Sequence, residues 1–150
     1  MITIKYTNGE NDDFVSLCHS LDNILVEIGG QKNQQQYVAY NLLDHIHDAF
    51  VAYDEDVPVG CASFKRYDDL TAEVKRVFVL PEYRRKGIST SLMNCLEDEA
   101  HEQGYESLIL ETSKLLESAH KMYLNLGFEV IPNYGPYKEM DGSLCMQKVL

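Results

Sequence analysis

Hydrophobic and polar positions change period several times along the chain, and each change marks the boundary of an element. Ile2 to Tyr6 alternates with period two, the pattern of a half-buried strand. Asp12 to Ile28 carries Phe14, Leu17, Cys18, Leu21, Leu25 and Ile28 at helical spacing until Gly29-Gly30 stops it. Gln31 to Asn41, with its Gln34-Gln35-Gln36 run, is polar and irregular and reads as a loop or short helix. Ala49 to Tyr53 and Val57 to Lys65 are apolar strand-like runs joined by Asp54-Glu55-Asp56, the turn chemistry of a hairpin. Thr71 to Leu80 continues the sheet. Ile88, Leu92, Met93, Leu96 and Ala100 then recur at helical intervals between Gly87 and Gly104. Ser107 to Glu111 is a short apolar strand, and Leu115 to Leu126 is a helix closed by Gly127. Phe128 to Ile131 and Ser143 to Val149 complete the strands, separated by the turn-rich Pro132 to Tyr137.

The predicted order is strand, helix, three strands, helix, strand, helix and two strands. That order gives an α/β (alpha-plus-beta) fold, with a mixed, mostly antiparallel sheet and helices on its faces. No repeat, low-complexity tract or Pro/Gly/Ser-rich linker interrupts the 150 residues, so one domain over 1–150 is expected. The apolar runs fall far short of the roughly 20 residues that span a bilayer. The Met1 to Tyr6 stretch lacks the basic, apolar and small-residue regions of a secretory signal. A cytoplasmic protein with no membrane association is the expectation.

Charge narrows the partners. A formal net charge of -11 opposes nucleic acid, whose phosphates need a basic surface, and suits a cationic acceptor. Cys18, Cys61, Cys95 and Cys145 are scattered and form no Cys-x-x-Cys pair. His45 and His47 are two apart, a poor spacing for a metal pair, while His19, His101 and His120 read as helix surface. No metal is expected. Against the acidic background, Arg84-Arg85-Lys86 is a local reversal of sign that points to an anion.

Val77 to Ser89 shows how an anion would be held. A strand is halted by Pro81, followed by the basic turn, Gly87 and the start of a helix. Amides at a helix start have no intrahelical acceptor and lie at the positive end of the helix dipole. Gly87 permits close approach, Arg84, Arg85 and Lys86 add charge, and Ser89 adds a small hydroxyl donor. A nucleotide-binding phosphate loop is disfavoured because the lysine precedes the glycine, and the single glycine fails the dinucleotide fingerprint.

In these residues the chain resembles the GNAT acetyltransferase superfamily, whose acetyl-CoA signature is Gln/Arg-x-x-Gly-x-Gly/Ala after a strand. Here it reads Arg84-x-x-Gly87-x-Ser89, with serine in place of glycine or alanine. A second stretch, Ala119-His120-Lys121-Met122-Tyr123-Leu124-Asn125-Leu126-Gly127-Phe128, is similar to the family's later helix bearing Ala-x-x-x-Tyr and ending in Gly-Phe. The resemblance implies two neighbouring strands that splay apart, with pantetheine pairing like a strand along Val77, Phe78 and Val79. It also implies a pyrophosphate on the amides of Arg85, Lys86, Gly87, Ile88 and Ser89.

Acetyl transfer to an amine needs a base, a group that polarises the thioester carbonyl and an acid for the departing thiolate. Tyr123 matches the tyrosine that similar enzymes use as the acid. Glu73, eleven positions before Arg84, stands where some relatives carry a glutamate base; an exposed glutamate paired with Lys75 or Arg66 is the structural alternative. Counting by twos places it on one strand face with Lys75, Val77 and Val79. The Val79 amide is the candidate to polarise the carbonyl. Tyr37, Tyr40, Tyr134 and Tyr137 lie in irregular segments expected to meet the acceptor, or simply to pack. A small-molecule or peptide amine is the expected partner, with a homodimer left open. A module that senses acetyl-CoA without turnover is the rival reading; a phosphate-anchoring protein unrelated to CoA is a third.

Overall fold

The alternating amino-terminal run, Ile2–Thr7 (β1), pairs antiparallel with Asp48–Asp54 (β2), Ile2 lying opposite Asp54 and Thr7 opposite Ala49. This computed structural model describes residues 1–30, 37, 43 and 45–150. A two-residue turn, with Glu55 at a left-handed φ of 54°, returns β2 into Val57–Arg66 (β3). Thr71–Val79 (β4), Ser107–Ser113 (β5), Glu129–Ile131 (β6) and Ser143–Val149 (β7) complete the strands. Asp12–Gly29 (α1), Ile88–Glu102 (α2) and Glu117–Asn125 (α3) are the α-helices among the described residues. The seven strands form one mixed sheet in the order β1-β2-β3-β4-β5-β7-β6. It is mostly antiparallel, with β4 and β5 parallel over Thr71–Glu73 and Ser107–Ile109.

The predicted elements are all present in the predicted order. The largest boundary shifts fall between β5 and α3, because Ser113 offers both its hydroxyl, to the Leu115 amide at 3.1 Å, and its carbonyl, to the Leu116 amide at 3.0 Å. This side-chain-stabilised turn ends β5 two residues later than alternation predicts and delays α3 to Glu117. Of the segment 31–41, only Tyr37 lies among the described residues, and it is buried.

Contacts divide the chain into two units, Met1–Lys65 with Lys75–Leu96 and Arg66–Val74 with Glu97–Leu150. In the first, α1 starts where the Asn11 side chain accepts the Phe14 amide at 3.0 Å, satisfying a donor that the helix cannot. Its Phe14, Leu17 and Cys18 are buried with Ala49 and Val51 of β2, Cys61 of β3 and Phe78 of β4. Burying each large side chain contributes about 1.5–3 kcal/mol. Gly60 leaves room on β3, since a Cβ there would lie 3.1 Å from both the Phe78 carbonyl and Val79.

Arg76 corrects one expectation. It sits inside β4 at φ 58°, a left-handed conformation that breaks the two-residue alternation of a strand. Counting by twos from Glu73 through Lys75 to Val77 and Val79 therefore does not place them on one face. The Arg76 side chain is 4% exposed and forks onto Asp22 of α1 at 2.8 and 3.0 Å, with a third bond to the Cys18 carbonyl at 3.0 Å.

In the second unit β5 pairs along its whole length with β7, from Ser107 opposite Val149 to Ser113 opposite Ser143. Leu108, Leu110, Phe128, Met146 and Tyr137 are fully buried. The end of α3 is closed by Gly127 at φ 97°, with the Gly127 amide donating to the Leu124 carbonyl at 3.1 Å and the Phe128 amide to the Tyr123 carbonyl at 2.9 Å. This is a Schellman cap. Its usual apolar contact is also present, the Tyr123 and Phe128 rings meeting edge-on with centroids 5.6 Å apart.

Two stability measurements check these assignments. Asp22→Ala leaves the buried Arg76 guanidinium without its counter-charge and lowers the unfolding free energy by about 3 kcal/mol, whereas Asp22→Leu combined with Arg76→Met restores most of it. Urea titration of the two variants compares them directly. Gly127→Ala forces a Cβ onto a left-handed residue, costs about 1–2 kcal/mol and lowers Tm by a few degrees.

Candidate functional site

The basic turn is built from β4 forward. Beyond Val79, residues Pro81–Tyr83 make one 3-10 turn, and Tyr83 donates from its hydroxyl to Asp54 at 2.8 Å. That bond, reinforced by burial, raises the phenol's pKa. Arg84 donates from Nε to the Val79 carbonyl at 3.1 Å and lies over the Phe78 ring at 6.0 Å, while Lys86 lies over the Tyr83 ring at 5.2 Å. The turn thus fixes its cations through aromatic faces and a backbone carbonyl. Arg85 and Gly87 both take left-handed conformations, φ 63° and 78°. Such alternation turns successive amides towards one side and makes a concave anion nest. The first bond of α2 runs from the Ser91 amide to the Gly87 carbonyl at 3.0 Å, so the amides of Ile88, Ser89 and Thr90 precede the helical ladder.

The chemistry of this donor set fits a diphosphate. Arg84, Arg85, Lys86 and Gly87 are exposed, and buried Ile88 anchors the helix beneath them. A Cβ on Gly87 would meet nothing within 4 Å, which leaves the approach to the amides open; glycine is required there by its φ.

A second group of ionisable side chains gathers in the unit containing Arg66–Val74 and Glu97–Leu150. Glu73 is 5% exposed and accepts a hydrogen bond from the Tyr134 hydroxyl at 2.6 Å. Arg66, one of its expected partners, pairs with Asp69 instead. Tyr134 stands edge-on to both Tyr67 and Tyr137, with centroids 5.5 Å apart in each case. Burial, and then the Glu73 charge, pushes the Tyr134 phenol far above its ordinary value.

Strand register adds residues that sequence reasoning missed. Glu73 is level with Ile109 on β5, and Glu111, two residues on, shares that face and is level with Cys145 on β7. Burial raises the Cys145 thiol; Glu111 and Glu73 add to the effect, and the Tyr134 backbone amide works the other way. Tyr123, 6% exposed, is likewise raised, by burial and then by Glu111. Its hydroxyl makes no hydrogen bond to the described residues. Tyr137 is 2% exposed, and Tyr40 lies outside the described residues.

The histidines stay apart from this group. His19, His45, His47 and His101 are exposed, whereas His120 is half-buried and bonded to the Ser113 carbonyl at 2.9 Å, more enclosed than helix spacing predicts. No cluster of three or more metal-ligating side chains occurs among the described residues. No helix there is long and apolar enough to cross a membrane.

Comparison with known proteins gives this arrangement its family. Residues 14–128, which include both the basic turn and the capped α3, match the Acetyltransferase (GNAT) family. The uncharacterized N-acetyltransferase YsnE of Bacillus subtilis is 32% identical over 101 residues, 66% of this chain and 67% of that protein. An IAA acetyltransferase of Azospirillum brasilense is 29% identical over 150 residues, 99% of this chain and 98% of its own. In fold, a Klebsiella pneumoniae structure classed as an acyl-CoA N-acyltransferase superposes with a TM-score of 0.83 at 24% identity, over 100% of this chain and 98% of that one. The PaiA N-acetyltransferase of Thermoplasma acidophilum, solved with coenzyme A, gives 0.76 at 19% identity over 100% and 99%. With both signature stretches inside the matched span, the chain belongs to the GNAT family of acetyltransferases.

Proposed function

We propose that this enzyme transfers the acetyl group of acetyl-CoA directly to a primary amine of a small molecule, amino acid or peptide. The observation that carries the reading is the nest at Arg85 and Gly87, opening onto the free amides at the head of α2 in a chain of this family. In this reading Arg84, Arg85, Lys86, Gly87, Ile88 and Ser89 hold the pyrophosphate. The backbone of Val77, Phe78 and Val79 aligns the pantetheine arm, and the Val79 amide polarises the thioester carbonyl.

Glu73 takes a proton from the bound ammonium, freeing the lone pair that forms the new N–C bond. As the C–S bond breaks, Tyr123 gives its proton to the departing thiolate, and the second proton that the nitrogen sheds on becoming an amide returns through solvent to the phenolate. Burial keeps the phenol protonated through the neutral range, so the proton is in place, and at the same time weakens it as an acid. The raised Cys145 thiol argues against a relay through that residue, since a neutral thiol is a poor nucleophile. Glu73 and Glu111 favour a cationic acceptor, met by the tyrosines at 37, 40, 134 and 137; buried Tyr137 would act by shaping its neighbours. Free cysteines at all four positions support a cytoplasmic setting.

Thiol release from acetyl-CoA, measured against a panel of alkylamines, amino acids and short peptides, tests the reading. Arg84→Glu raises KM for acetyl-CoA at least tenfold. Tyr123→Phe lowers kcat about 10²–10³-fold with KM for acetyl-CoA held. A Tyr123→Phe enzyme as fast as the parent removes the acid assignment. Coenzyme A binding with no product from any amine supports the sensing module instead.

The phenol also has a pH signature. With Tyr123 raised above the ordinary tyrosine value of about 10, kcat holds its plateau as pH approaches that value. A loss of kcat centred near pH ~9, absent in Tyr123→Phe, contradicts this.

A further inference from the structure

Glu73 does not act alone in this structure. Its carboxylate is buried, and its Oε2 accepts a 2.6 Å hydrogen bond from a phenol that is itself fixed by two edge-on ring contacts. Packing therefore restricts the donor's position as well as its bond. Tyr67 comes from the turn after β3, and Tyr134 and Tyr137 bracket the 3-10 turn Gly135–Tyr137. Asn133, just ahead of them, donates to the carbonyls of Tyr137, Met140 and Ser143 at 3.1, 3.3 and 3.1 Å. The two N–H groups of that amide, shared among the three carbonyls, tie the aromatic turn to the start of β7, so the phenol is delivered to Glu73 by a braced backbone.

We propose that Tyr134 is a positioning residue for Glu73, its hydroxyl holding the carboxylate in one orientation for the acceptor's ammonium. This inference rests on the reading of Glu73 as the base, and it moves Tyr134 from acceptor contact to support of the carboxylate. A phenol suits the task because it donates a single hydrogen bond and keeps its proton beside a carboxylate. The ionisable groups around Glu73 are Tyr134, with Tyr137 and Tyr67 behind it, Glu111 from β5, Cys145 from β7, and Lys75 further along its own strand. Glu111 is the one with the same charge, so a bond that holds the Glu73 carboxylate in a single orientation also keeps it from turning in response.

The test compares Tyr134→Phe, Glu73→Gln and, as a packing control, Tyr67→Phe in the full chain, using acetyl-CoA and the panel amine that gives the fastest thiol release. Removing one donor from a carboxylate favours its protonated form. Tyr134→Phe is therefore expected to move the acid limb of kcat up by about one pH unit. It also lowers kcat roughly tenfold at pH 7 while KM for acetyl-CoA is unchanged. Tyr67→Phe keeps the parent limb. If Glu73→Gln abolishes the limb but Tyr134→Phe leaves it in place, the positioning role is overturned and the base survives. A limb that persists in Glu73→Gln overturns both. Should Tyr134→Phe fail to fold, the parent chain decides by proton NMR. A slowly exchanging tyrosine hydroxyl signal that vanishes in Glu73→Gln supports the bond, and its absence from the parent overturns it.

Discussion

An L-residue held at positive φ costs roughly 1–2 kcal/mol unless its surroundings repay the strain, and this chain places two arginines there within ten residues. At Arg76 the return comes from a buried fork onto Asp22 and the Cys18 carbonyl, which binds β4 to α1. At Arg85 it lies in the alternation with Gly87 that turns backbone amides outward. Both positions are on the path from β4 into α2. The strand's irregularity and the nest therefore belong to one continuous piece of backbone, whose conformation decides which groups β4 can present.

The two groups of functional residues are assembled by different physics. The basic turn is local: a proline-started 3-10 turn, two left-handed residues and a helix start, with its cations lying on Phe78 and Tyr83. The acidic and phenolic group is distant in sequence, drawn from β4, β5, β7, α3 and the Tyr134 turn, and depends on register. Burial acts on it uniformly by disfavouring charge, so Tyr123, Tyr134 and Cys145 all stay protonated.

That division explains what could be read from the chain. Periodicity and glycine stops were sufficient for the element order, and Arg84 to Ser89 with Ala119 to Phe128 for the family. Tyr123 and Glu73 were named as candidates through the resemblance, and both are buried. Glu111 and Cys145 were not among the candidates, because nothing local announces that β5 runs beside β4 or that Cys145 falls level with Glu111. Arg76 was missed for another reason: arginine carries no preference for left-handed backbone, so counting by twos ran straight through the break. The Tyr134–Glu73 bond links positions 61 apart in sequence, and only the assembled sheet and turn make them neighbours. For Tyr137, of the two readings its irregular segment left open, acceptor contact and packing, burial in the 3-10 turn favours packing.

The cap on α3 has a bearing on how this enzyme could vary. Nine residues are too few for a helix to persist alone in water, so α3 owes its form to its ends and its packing. Its terminal glycine and phenylalanine close the helix on the carbonyl and ring of the tyrosine itself. The tyrosine's placement is thus inherited from a stop signal in the backbone. Loops elsewhere can drift in sequence while Gly127 and Phe128 keep the phenol in register, which separates variation in the loops from the placement of Tyr123.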